Sequence, residues 1–433
     1  MTDRLYQAYL ASRTVTSDSR AITPGCIFFA FKGEHFDGNA FAPQALEQGA
    51  ALCVVSEEWK DESGKWKDDD RIIGVPDVLE TLQELAREHR RHLTIPIVGI
   101  TGTNGKTTTK ELVHAVLQKR YRTAATKGNF NNHLGVPLTL LAIPADAELA
   151  IVEMGANHPG EIAFLCGIAD PDCGLITNVG RAHLEGFGSF EGVIQTKTEL
   201  YRHLAAKQGL VFVNADNPIL TSHLSPLTSH LTYGRTADVR GTLVDCDPYL
   251  HFYFEVGDNV YNVHTHLLGA YNFDNAMAAV AVGLHFGVEP FDIKEAIEEY
   301  MPSNNRSQFK HTEHNTLYLD CYNANPSSMA VAIESFGLLQ ADHKVAVIGG
   351  MHELGADERK EHEQLVAELV AIKPEQCLLV GPEFDGITLP PYMLRFVDTD
   401  ALKAHLKAKP ISGATVLVKG SNTNRLWTLE EEL

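Results

Sequence analysis

Short apolar runs and helix-periodic stretches share the first 90 residues of the chain. The apolar runs cover residues 26–31, 51–55 and 72–75, and a helix-periodic stretch follows over 78–93. That stretch ends in the basic cluster REHRRH, which is most simply a solvated helix end. The chain then restarts at Ile95 and Pro96, so we predict a small, separate α/β domain over residues 1–94.

Strand-like runs alternate with helical patterns over the next part of the chain. The runs IVGI, LAIVEM, CGLITNV and LVFVN are separated by helix-periodic residues 107–119, 160–169 and 190–206. This order predicts a parallel sheet flanked by helices in a central domain, residues 95–302. Between 232 and 268 the pattern changes to strict alternation, as in YLHFYFEV, which predicts antiparallel strands that extend the sheet at its edge before a helix over 272–286.

A second series of strands and helices fills residues 303–433. The runs TLYLD, KVAVIGG, QCLLVG and TVLVKG predict strands, with helices near 327–339 and 358–372. Such alternation is typical of a Rossmann-like, doubly wound unit. We therefore expect an α/β protein of three domains whose function lies in the clefts between them.

Composition limits the partners of this chain. Its 56 acidic and 36 basic residues give a net charge of −20, which repels nucleic acid and anionic lipid, so an anionic ligand needs a local site. The seven cysteines include no CxxC pair and predict reduced thiols. Neither a signal peptide nor a run of 18 apolar residues occurs, so we expect a cytoplasmic protein without membrane insertion.

The segment IVGITGTNGKTTTKELVHAVLQ carries the strongest chemical signal. An apolar strand runs through a glycine-bearing turn into an amphipathic helix that begins at Lys106, as a P-loop requires. Gly102 and Gly105 allow backbone N–H groups to approach phosphate, Lys106 neutralises its charge, and Thr107 ligates magnesium. Ile100 stands where the strict GxxxxGK[ST] motif has its first glycine, and a turn that merely caps a helix is the alternative.

Two polar residues lie near the ends of later strands, where doubly wound sheets bind ligands. Glu153 follows LAIV and His183 follows LITNVGRA. With Thr107 they suit a hard divalent ion bridged by phosphates, so magnesium is favoured over zinc. Either residue alone could equally be a hydrogen-bonded loop residue. His264, His266 and HTEH at 311–314 lack zinc-site spacing and are expected at the surface or sheet edge.

Six segments together resemble the Mur ligases: TGTNGKTTT, GNFNNHLGVPLTLL, EMGANHPGEI, TNVGRAHLEGFGS, YNANPSSM and MHELGADERKEH. The resemblance spans nearly the whole chain, and EMGANHPGEI and YNANP favour the branch that adds D-alanyl-D-alanine to UDP-N-acetylmuramoyl-tripeptide. It implies that ATP phosphorylates the peptide's terminal carboxylate and that the incoming amine displaces phosphate, in peptidoglycan precursor synthesis. Another Mur-like ligase that adds a single amino acid, a folate-type polyglutamate ligase and a P-loop nucleotide switch remain alternatives.

The resemblance also implies the residues that hold ATP and metal. The ATP phosphates would be bound by Gly102, Thr103, Asn104, Gly105, Lys106, Thr107 and Thr108. Thr107 and Glu153 would bind one magnesium ion, and His183 with Glu153 a second. Lys197, in QTKTEL, matches a lysine that carries a carbamate, an anionic ligand where an ammonium would be repelled. Without the resemblance, Lys197 would be an exposed helix lysine.

Further ATP and dipeptide contacts are implied in the later segments. Asn272 and Asn275 match the adenine-side helix, and Arg306 matches an arginine that reaches the phosphates; Lys106, His183, Lys197 and Arg306 form the implied catalytic group. Asp320 and Asn325 would lie near the nucleotide and Asn323 near the dipeptide, although YNANP also fits a tight turn. The chain departs from the family at Tyr271 for His, Asn305 for Gly and Gly350 for an acidic residue.

The segment SDSRAITPGCIFFAFKGEHFDGNAF resembles the family's UDP-sugar-binding domain. Ser17, Asp18, Ser19 and Arg20 form a small polar turn in which Arg20 could pair with a diphosphate, and a simple surface turn is the alternative. Asn39 stands where His is frequent. The implied partners are small molecules only, namely ATP, magnesium, the UDP-linked tripeptide and the dipeptide, and we expect a monomer.

Overall fold

A computed structural model describes residues 2–33, 36–59, 66, 69–225, 228–302 and 306–433. Its helices, in chain order, are α1 (Thr2–Ser12), α2 (Ala42–Glu47), α3 (Val78–His92), α4 (Lys106–Gln118), α5 (Gly135–Leu141), α6 (Glu161–Ala169), α7 (Leu184–Phe187), α8 (Phe190–Lys197), α9 (Glu199–Ala206), α10 (Pro218–Ser222), α11 (Asn272–His285), α12 (Pro290–Glu299), α13 (Pro326–Leu338), α14 (Glu358–Ile372) and α15 (Thr399–Ala408).

The strands, in chain order, are β1 (Val15–Thr16), β2 (Ile27–Phe29), β3 (Leu52–Ser56), β4 (Ile72–Val75), β5 (Ile97–Thr101), β6 (Thr123–Ala125), β7 (Leu149–Glu153), β8 (Cys173–Ile176), β9 (Leu210–Asn214), β10 (His230–Gly234), β11 (Val239–Cys246), β12 (Tyr249–Val256), β13 (Asn259–Leu268), β14 (Gln308–His311), β15 (Thr316–Asp320), β16 (Lys344–Gly349), β17 (Gln376–Val380), β18 (Met393–Phe396) and β19 (Thr415–Lys419).

Backbone contacts divide the chain into two compact units. The first comprises residues 1–100, 121–156 and 160–174. One of its sheets has the order β1-β2-β3-β4, with parallel pairs such as Ile27 opposite Leu52. In the other, the strands follow the order β8-β5-β7-β6, and the β5–β7 and β7–β6 pairs are parallel. The predicted N-terminal α/β sheet and the start of the central parallel sheet are therefore present.

The second unit comprises residues 101–120, 157–159 and 175–433. Its strands β9-β10-β11-β12-β13 follow one another in sheet order, parallel between β9 and β11 and antiparallel from β11 to β13. The predicted antiparallel edge extension is confirmed. A separate sheet has the order β14-β15-β19-β16-β17-β18, in which only the β14–β15 pair is antiparallel.

Both faces of this last sheet are buried. Tyr318 of β15 packs in a core with Phe336 of α13 and Leu369 of α14. Its neighbour Leu319 packs on the opposite face in a core with Leu402 of α15 and Val416 of β19. Successive side chains of a strand point to opposite faces, so a continuous apolar run such as TLYL marks a strand covered by helices on both sides.

The structure refines one expectation about helices and overturns another. The helical region predicted over 190–206 is confirmed, with an interruption at Thr198 between α8 and α9, where the Thr198 hydroxyl bonds the Ile194 carbonyl oxygen at 2.9 Å. The basic cluster at the end of α3 is not simply solvated, because His89 and Arg90 are 2% and 8% exposed. Arg90 donates to the carbonyl oxygen of Ala169 at 2.9 Å and pairs with Asp172. Its guanidinium satisfies the carbonyl oxygens of Ala169 and Asp170, at the carboxyl end of α6.

No helix in the described ranges is both long and apolar enough to span a bilayer.

Candidate active site

The turn after β5 has a shape that only glycine permits at two positions. Gly102 has φ of 144° and Gly105 has φ of 77°. A Cβ on Gly105 would lie 2.5 Å from Asn275 Oδ1, and one on Gly102 would lie 3.0 Å from the Thr177 nitrogen. Side chains at these positions would be strained and would collide with neighbours. The turn is therefore a tight backbone cradle at the start of α4, not a loop with an incidental glycine.

Lys106 folds over this cradle. Its Nζ donates to the carbonyl oxygens of Gly102 at 2.8 Å and Thr103 at 2.9 Å. Thr107 is buried behind it, 7% exposed. The amino terminus of α4 adds the positive end of its dipole to the lysine charge, so the turn attracts an anion such as a nucleotide phosphate.

The start of α11 supports the cradle from behind. Asn275 Oδ1 accepts a bond from the Thr109 hydroxyl at 3.0 Å, and Asn275 Nδ2 donates to Asn272 Oδ1 at 2.8 Å. Asn272 in turn donates to the Leu268 carbonyl oxygen at 2.7 Å. Both asparagines are buried. Their amides, which the resemblance assigns to adenine, thus form a hydrogen-bonded chain inside the protein.

Tyr271, which stands where the family usually has His, lies in a hydroxyl cluster. Its OH is 2.7 Å from Ser307 Oγ and 3.1 Å from the Tyr318 hydroxyl. Burial raises the pKa of Tyr271 well above its ordinary value, helped by the nearby Tyr318 and Asp320. Tyr271 therefore stays neutral and fixes the chain ahead of α11.

Two residues after β8, missed by the sequence analysis, hold the turn from the other side. The Thr177 hydroxyl and Asn178 Nδ2 donate to the Asn104 carbonyl oxygen at 2.6 and 3.0 Å. Asn104 N donates back to Asn178 Oδ1 at 3.0 Å. The signal was available, since TNVG follows a strand of the same sheet and strand ends lie along one edge.

Asn325 brings the C-terminal segment against the P-loop turn. Its Nδ2 donates to Asn104 Oδ1 at 2.8 Å, and its Oδ1 accepts from Ser328 N at 2.9 Å to cap α13. Nearby, Arg181 N donates to Ser327 Oγ at 2.8 Å. YNANP is thus the segment that caps the start of α13, and it also contacts the P-loop turn.

His183 lies at the amino end of α7 with a left-handed backbone, φ 50°. Its Nδ1 bonds Glu353 Oε2, in the loop after β16. Burial lowers the pKa of His183, and the positive charges of Lys106 and Lys197 act in the same direction against the opposing effect of Glu353. A neutral ring that donates from Nδ1 keeps Nε2 as a lone-pair donor, which is how metal-binding histidines are usually oriented. Glu353 was also missed by the sequence analysis.

Lys197 is the last residue of α8 and is only 2% exposed. Its Nζ lies 5.5 Å from the centroid of the Phe187 ring. The alternative of an exposed, solvated helix lysine is therefore wrong. Its burial distinguishes Lys197 from the solvated lysines that are common on helices.

Glu153, in the first unit, is the last residue of β7 and is 1% exposed. Its Oε1 accepts a bond from Asn131 Nδ2 at 2.8 Å, and its backbone N donates to Thr126 Oγ1 at 3.0 Å. Asn131 belongs to the segment GNFNNHLG that carries part of the Mur ligase resemblance. A buried carboxylate oriented by an amide is a suitable ligand for a hard cation.

The remaining C-terminal candidates occupy the end of β15 and the chain around it. Asp320 Oδ2 pairs with Lys419 Nζ at 2.5 Å, across the register of β15 and β19. The Arg306 guanidinium lies 3.8 Å from the centroid of the Tyr322 ring. Asn323 is exposed. Asn305, which departs from the family pattern, lies outside the described residues.

The N-terminal polar turn is closed by its own ion pair. Arg20 donates to both carboxylate oxygens of Asp18, at 2.9 and 2.8 Å, and its side chain is 88% exposed. The hydrogen bond from Arg20 lowers the pKa of Asp18 to about 2. Ser17 and Ser19 are half-buried, whereas Asn39 is buried and accepts from Ser56 N at 2.9 Å. The fork of Arg20 is exposed, and a diphosphate would have to displace Asp18 to use it fully.

Within the described part of the chain, no three His, Cys, Asp or Glu side chains gather into a metal-binding group. The expected set, Thr107, Glu153, His183 and Lys197, supplies one hydroxyl, one carboxylate and one imidazole besides the lysine. This donor set fits a hard cation that takes its other ligands from phosphate oxygens and water, and it lacks the nitrogen and sulfur ligands of a zinc site.

Three family models match successive parts of the chain. Residues 12–90 match the model described as Mur ligase family, catalytic domain, residues 100–283 the Mur ligase middle domain, and residues 305–422 the Mur ligase glutamate ligase domain. Together they cover most of the sequence.

Relatives and solved structures agree with the family models. A UDP-N-acetylmuramoyl-tripeptide–D-alanyl-D-alanine ligase from Bacillus subtilis is 33% identical, over 97% of this chain and 92% of the relative. A crystal structure of MurF from Acinetobacter baumannii superposes with a TM-score of 0.89 at 29% identity, covering 100% of this chain and 98% of that one. A MurF ligase from Thermotoga maritima in complex with ADP gives 0.84 at 29% identity, covering 98% and 97%.

Proposed function

Because this chain belongs to the Mur ligase family, with its three-domain α/β architecture, we propose that it joins D-alanyl-D-alanine to UDP-N-acetylmuramoyl-tripeptide, using ATP, in peptidoglycan precursor synthesis. One observation carries the choice of substrates: a relative of that name is 33% identical over 97% of the chain. The P-loop cradle, which only glycine permits, supports the use of ATP.

The proposed chemistry activates a carboxylate. The terminal carboxylate of the tripeptide attacks the γ-phosphorus of ATP, the bond to the bridging oxygen of ADP breaks, and an acyl phosphate forms. The uncharged amine of the dipeptide then attacks the acyl carbon, phosphate leaves, and the amine loses a proton. Lys106 and the amino terminus of α4 stabilise negative charge on the transferred group, and Arg306 approaches it from the C-terminal segment.

The residues that would hold magnesium are Thr107, Glu153 and His183. Glu153 is buried and oriented by Asn131, and His183 is oriented by Glu353. When bound, magnesium offsets the charge of the phosphoryl oxygens. The protein's part is to present a hydroxyl, a carboxylate and a neutral imidazole in fixed orientations.

Lys197 is proposed to carry a carbamate, formed when its uncharged amine adds to carbon dioxide and releases a proton. Its position supports this, because Lys197 is 2% exposed and is not a solvated surface lysine, and a carbamate would be an anionic metal ligand. We expect Lys197→Ala to lose activity and to regain part of it with added short carboxylates. Carbon-13 NMR of enzyme equilibrated with labelled bicarbonate should show a carbamate signal that the variant lacks. Undiminished activity in the variant would remove the carbamate.

The remaining assignments follow the family resemblance. Ser17, Asp18, Ser19 and Arg20 would contact the UDP moiety, Asp320 and Asn325 the nucleotide side, and Asn323 the dipeptide, while Asn272 and Asn275 support the adenine side. We propose domains at 1–94, 95–302 and 303–433. We also propose that the protein is a cytoplasmic monomer; size-exclusion chromatography with light scattering tests the mass.

One assay separates the functions under consideration. Purified protein is mixed with ATP, magnesium, UDP-muramoyl-tripeptide and either D-Ala-D-Ala or single amino acids, and phosphate release and product mass are followed. We expect release that depends on the dipeptide, together with a product that contains it. Release only with a single amino acid such as glutamate or a diamino acid would favour another Mur-like ligase. ATP hydrolysis indifferent to every acceptor would indicate a nucleotide switch.

A further inference from the structure

A buried carboxylate lies between two glycines at the carboxyl ends of β16 and β17. The side chain of Glu383 is 9% exposed. A Cβ added to Gly350 would overlap Glu383 Oε2 and would lie 2.5 Å from its Cδ, and a Cβ added to Gly381 would also overlap Oε2. The absence of side chains at both positions therefore makes the space that Glu383 occupies.

Glu383 approaches one titratable partner. Its Oε1 lies 3.4 Å from Nδ1 of His352, in the loop that follows β16. Glu383 Oε2 and His352 Nε2 are both buried, and neither has a hydrogen-bond partner in the parts of the chain that the structure describes. Leaving buried polar atoms without partners is costly, and such atoms in a folded protein call for an explanation.

Gly350 lies directly after β16, beside the Glu383 carboxylate. Its backbone is not left-handed, so a side chain there would meet the Glu383 carboxylate without adding backbone strain. The carboxylate of Glu383, in the short turn that follows β17, fills that space.

The location suits a ligand. Parallel α/β sheets bind ligands at the carboxyl ends of their strands, and β16 and β17 are neighbouring parallel strands of this sheet. An acceptor oxygen that carries negative charge and lacks a donor matches a primary ammonium group, which has three donors and a positive charge.

We propose that Glu383 binds the ammonium group of the incoming dipeptide through Oε2, while His352, whose Nδ1 lies 3.4 Å from Oε1, positions the carboxylate. The proposal rests on the function proposed above and deepens it by naming the residue that recognises the amine substrate. Glu383 binds the dipeptide before reaction; the ammonium then gives one proton to water, and the uncharged amine attacks the acyl phosphate. Phosphoryl transfer to the tripeptide does not use Glu383.

The experiment compares Glu383→Gln with the control Glu363→Gln, which removes an exposed carboxylate paired with Arg359 on α14. For Glu383→Gln we expect the KM for D-Ala-D-Ala to rise about 10- to 100-fold, because a charge-assisted bond is lost, with little change in the KM for ATP. Hydroxylamine is an uncharged nucleophile at neutral pH and traps the acyl phosphate as a hydroxamate. Both variants should form hydroxamate at the wild-type rate.

An unchanged KM for the dipeptide in Glu383→Gln overturns the proposal, as does an equal fall in hydroxamate formation, which would indicate a structural role. If the wild type forms neither hydroxamate nor dipeptide product, the proposed function fails and this inference fails with it. If the wild type forms both, the proposed function holds, and the KM of Glu383→Gln for the dipeptide then tests this inference alone.

A reciprocal swap tests whether a carboxylate at position 350 can replace that of Glu383, even if Glu383→Gln folds poorly. Gly350→Asp alone should be impaired, because it collides with Glu383. Gly350→Asp combined with Glu383→Ala should bring the KM for the dipeptide at least tenfold below that of Glu383→Ala alone. A double variant no better than Glu383→Ala contradicts the proposal.

Discussion

The pair between Asp320 and Lys419 makes a strong prediction about stability. Lys419 is 1% exposed, and its Nζ lies 2.5 Å from Asp320 Oδ2, while the Asp320 side chain is 18% exposed. The two residues are opposite each other in the register of β15 and β19, at the edge of the sheet that carries Asn323 and Asn325. Removing either charge leaves the other charge at least partly shielded from water and without its partner, which destabilises the folded protein.

The magnitudes differ because the two groups differ in burial. Asp320→Asn strands the fully buried ammonium and should cost about 3–5 kcal/mol. Lys419→Met leaves a carboxylate that water can partly reach, so the cost should be lower, about 2–3 kcal/mol. The double variant removes both charges, and its cost should fall short of the sum by about 1–3 kcal/mol, as expected of groups in direct contact.

Trp427 offers a local probe of this sheet. It packs against the core that contains Val416 and Val418 of β19, whereas Trp59 and Trp66 pack in the N-terminal core. In a background with Trp59→Phe and Trp66→Phe, urea unfolding followed by fluorescence reports on the C-terminal sheet alone. We expect the Asp320→Asn midpoint to fall by about 1–2 M.

Glu363→Gln is the matched control, since it breaks an exposed pair and should cost less than about 1 kcal/mol. The reasoning about burial is refuted if Asp320→Asn unfolds at the control's midpoint, or if the double variant costs the full sum of the two single variants.

Two further perturbations follow from the geometry. Gly105→Ala places a Cβ on a left-handed residue, 2.5 Å from Asn275 Oδ1. We therefore expect ATP affinity, measured by isothermal titration calorimetry, to fall at least tenfold, and the free energy of unfolding to fall by about 1–2 kcal/mol from backbone strain. Unchanged affinity would show that the turn does not bind phosphate. Burial, with the charges of Arg13 and His92, lowers the pKa of His89 to about 4. The unfolded state therefore takes up the proton first, and up to about 3 kcal/mol of stability is lost as pH falls from about 6.5 to 4. Urea titrations of His89→Gln should show a flatter pH dependence of stability over that window, and a slope identical to that of the wild type would contradict the assignment.

Local patterns were sufficient for most of the secondary structure. The helix predicted over 358–372 coincides with α14, and the strand predicted at 72–75 coincides with β4. Helix α5 was not predicted, because GVPLTLL is short and nearly all apolar and shows no helical period. The break at Thr198 was not predicted either, since it depends on a side-chain bond to the backbone.

The P-loop could be predicted because strand, glycine turn and helix are contiguous in sequence. Asp320 and Lys419 are 99 residues apart, and their pairing follows from the register of two strands that no local pattern specifies. Glu383 is similar, because its place depends on two glycines at the ends of β16 and β17. Contacts that arise from sheet order are those that sequence reasoning missed.

Asn325 performs two tasks with one side chain. Its Oδ1 caps the first turn of α13 through Ser328 N, while its Nδ2 bonds Asn104 in the P-loop turn. Any shift of the turn when nucleotide enters is therefore transmitted to that cap, and the first backbone amides of α13 loosen or tighten with it. The rate at which those amide hydrogens exchange with deuterated solvent should therefore report whether nucleotide is bound, even in the absence of the second substrate.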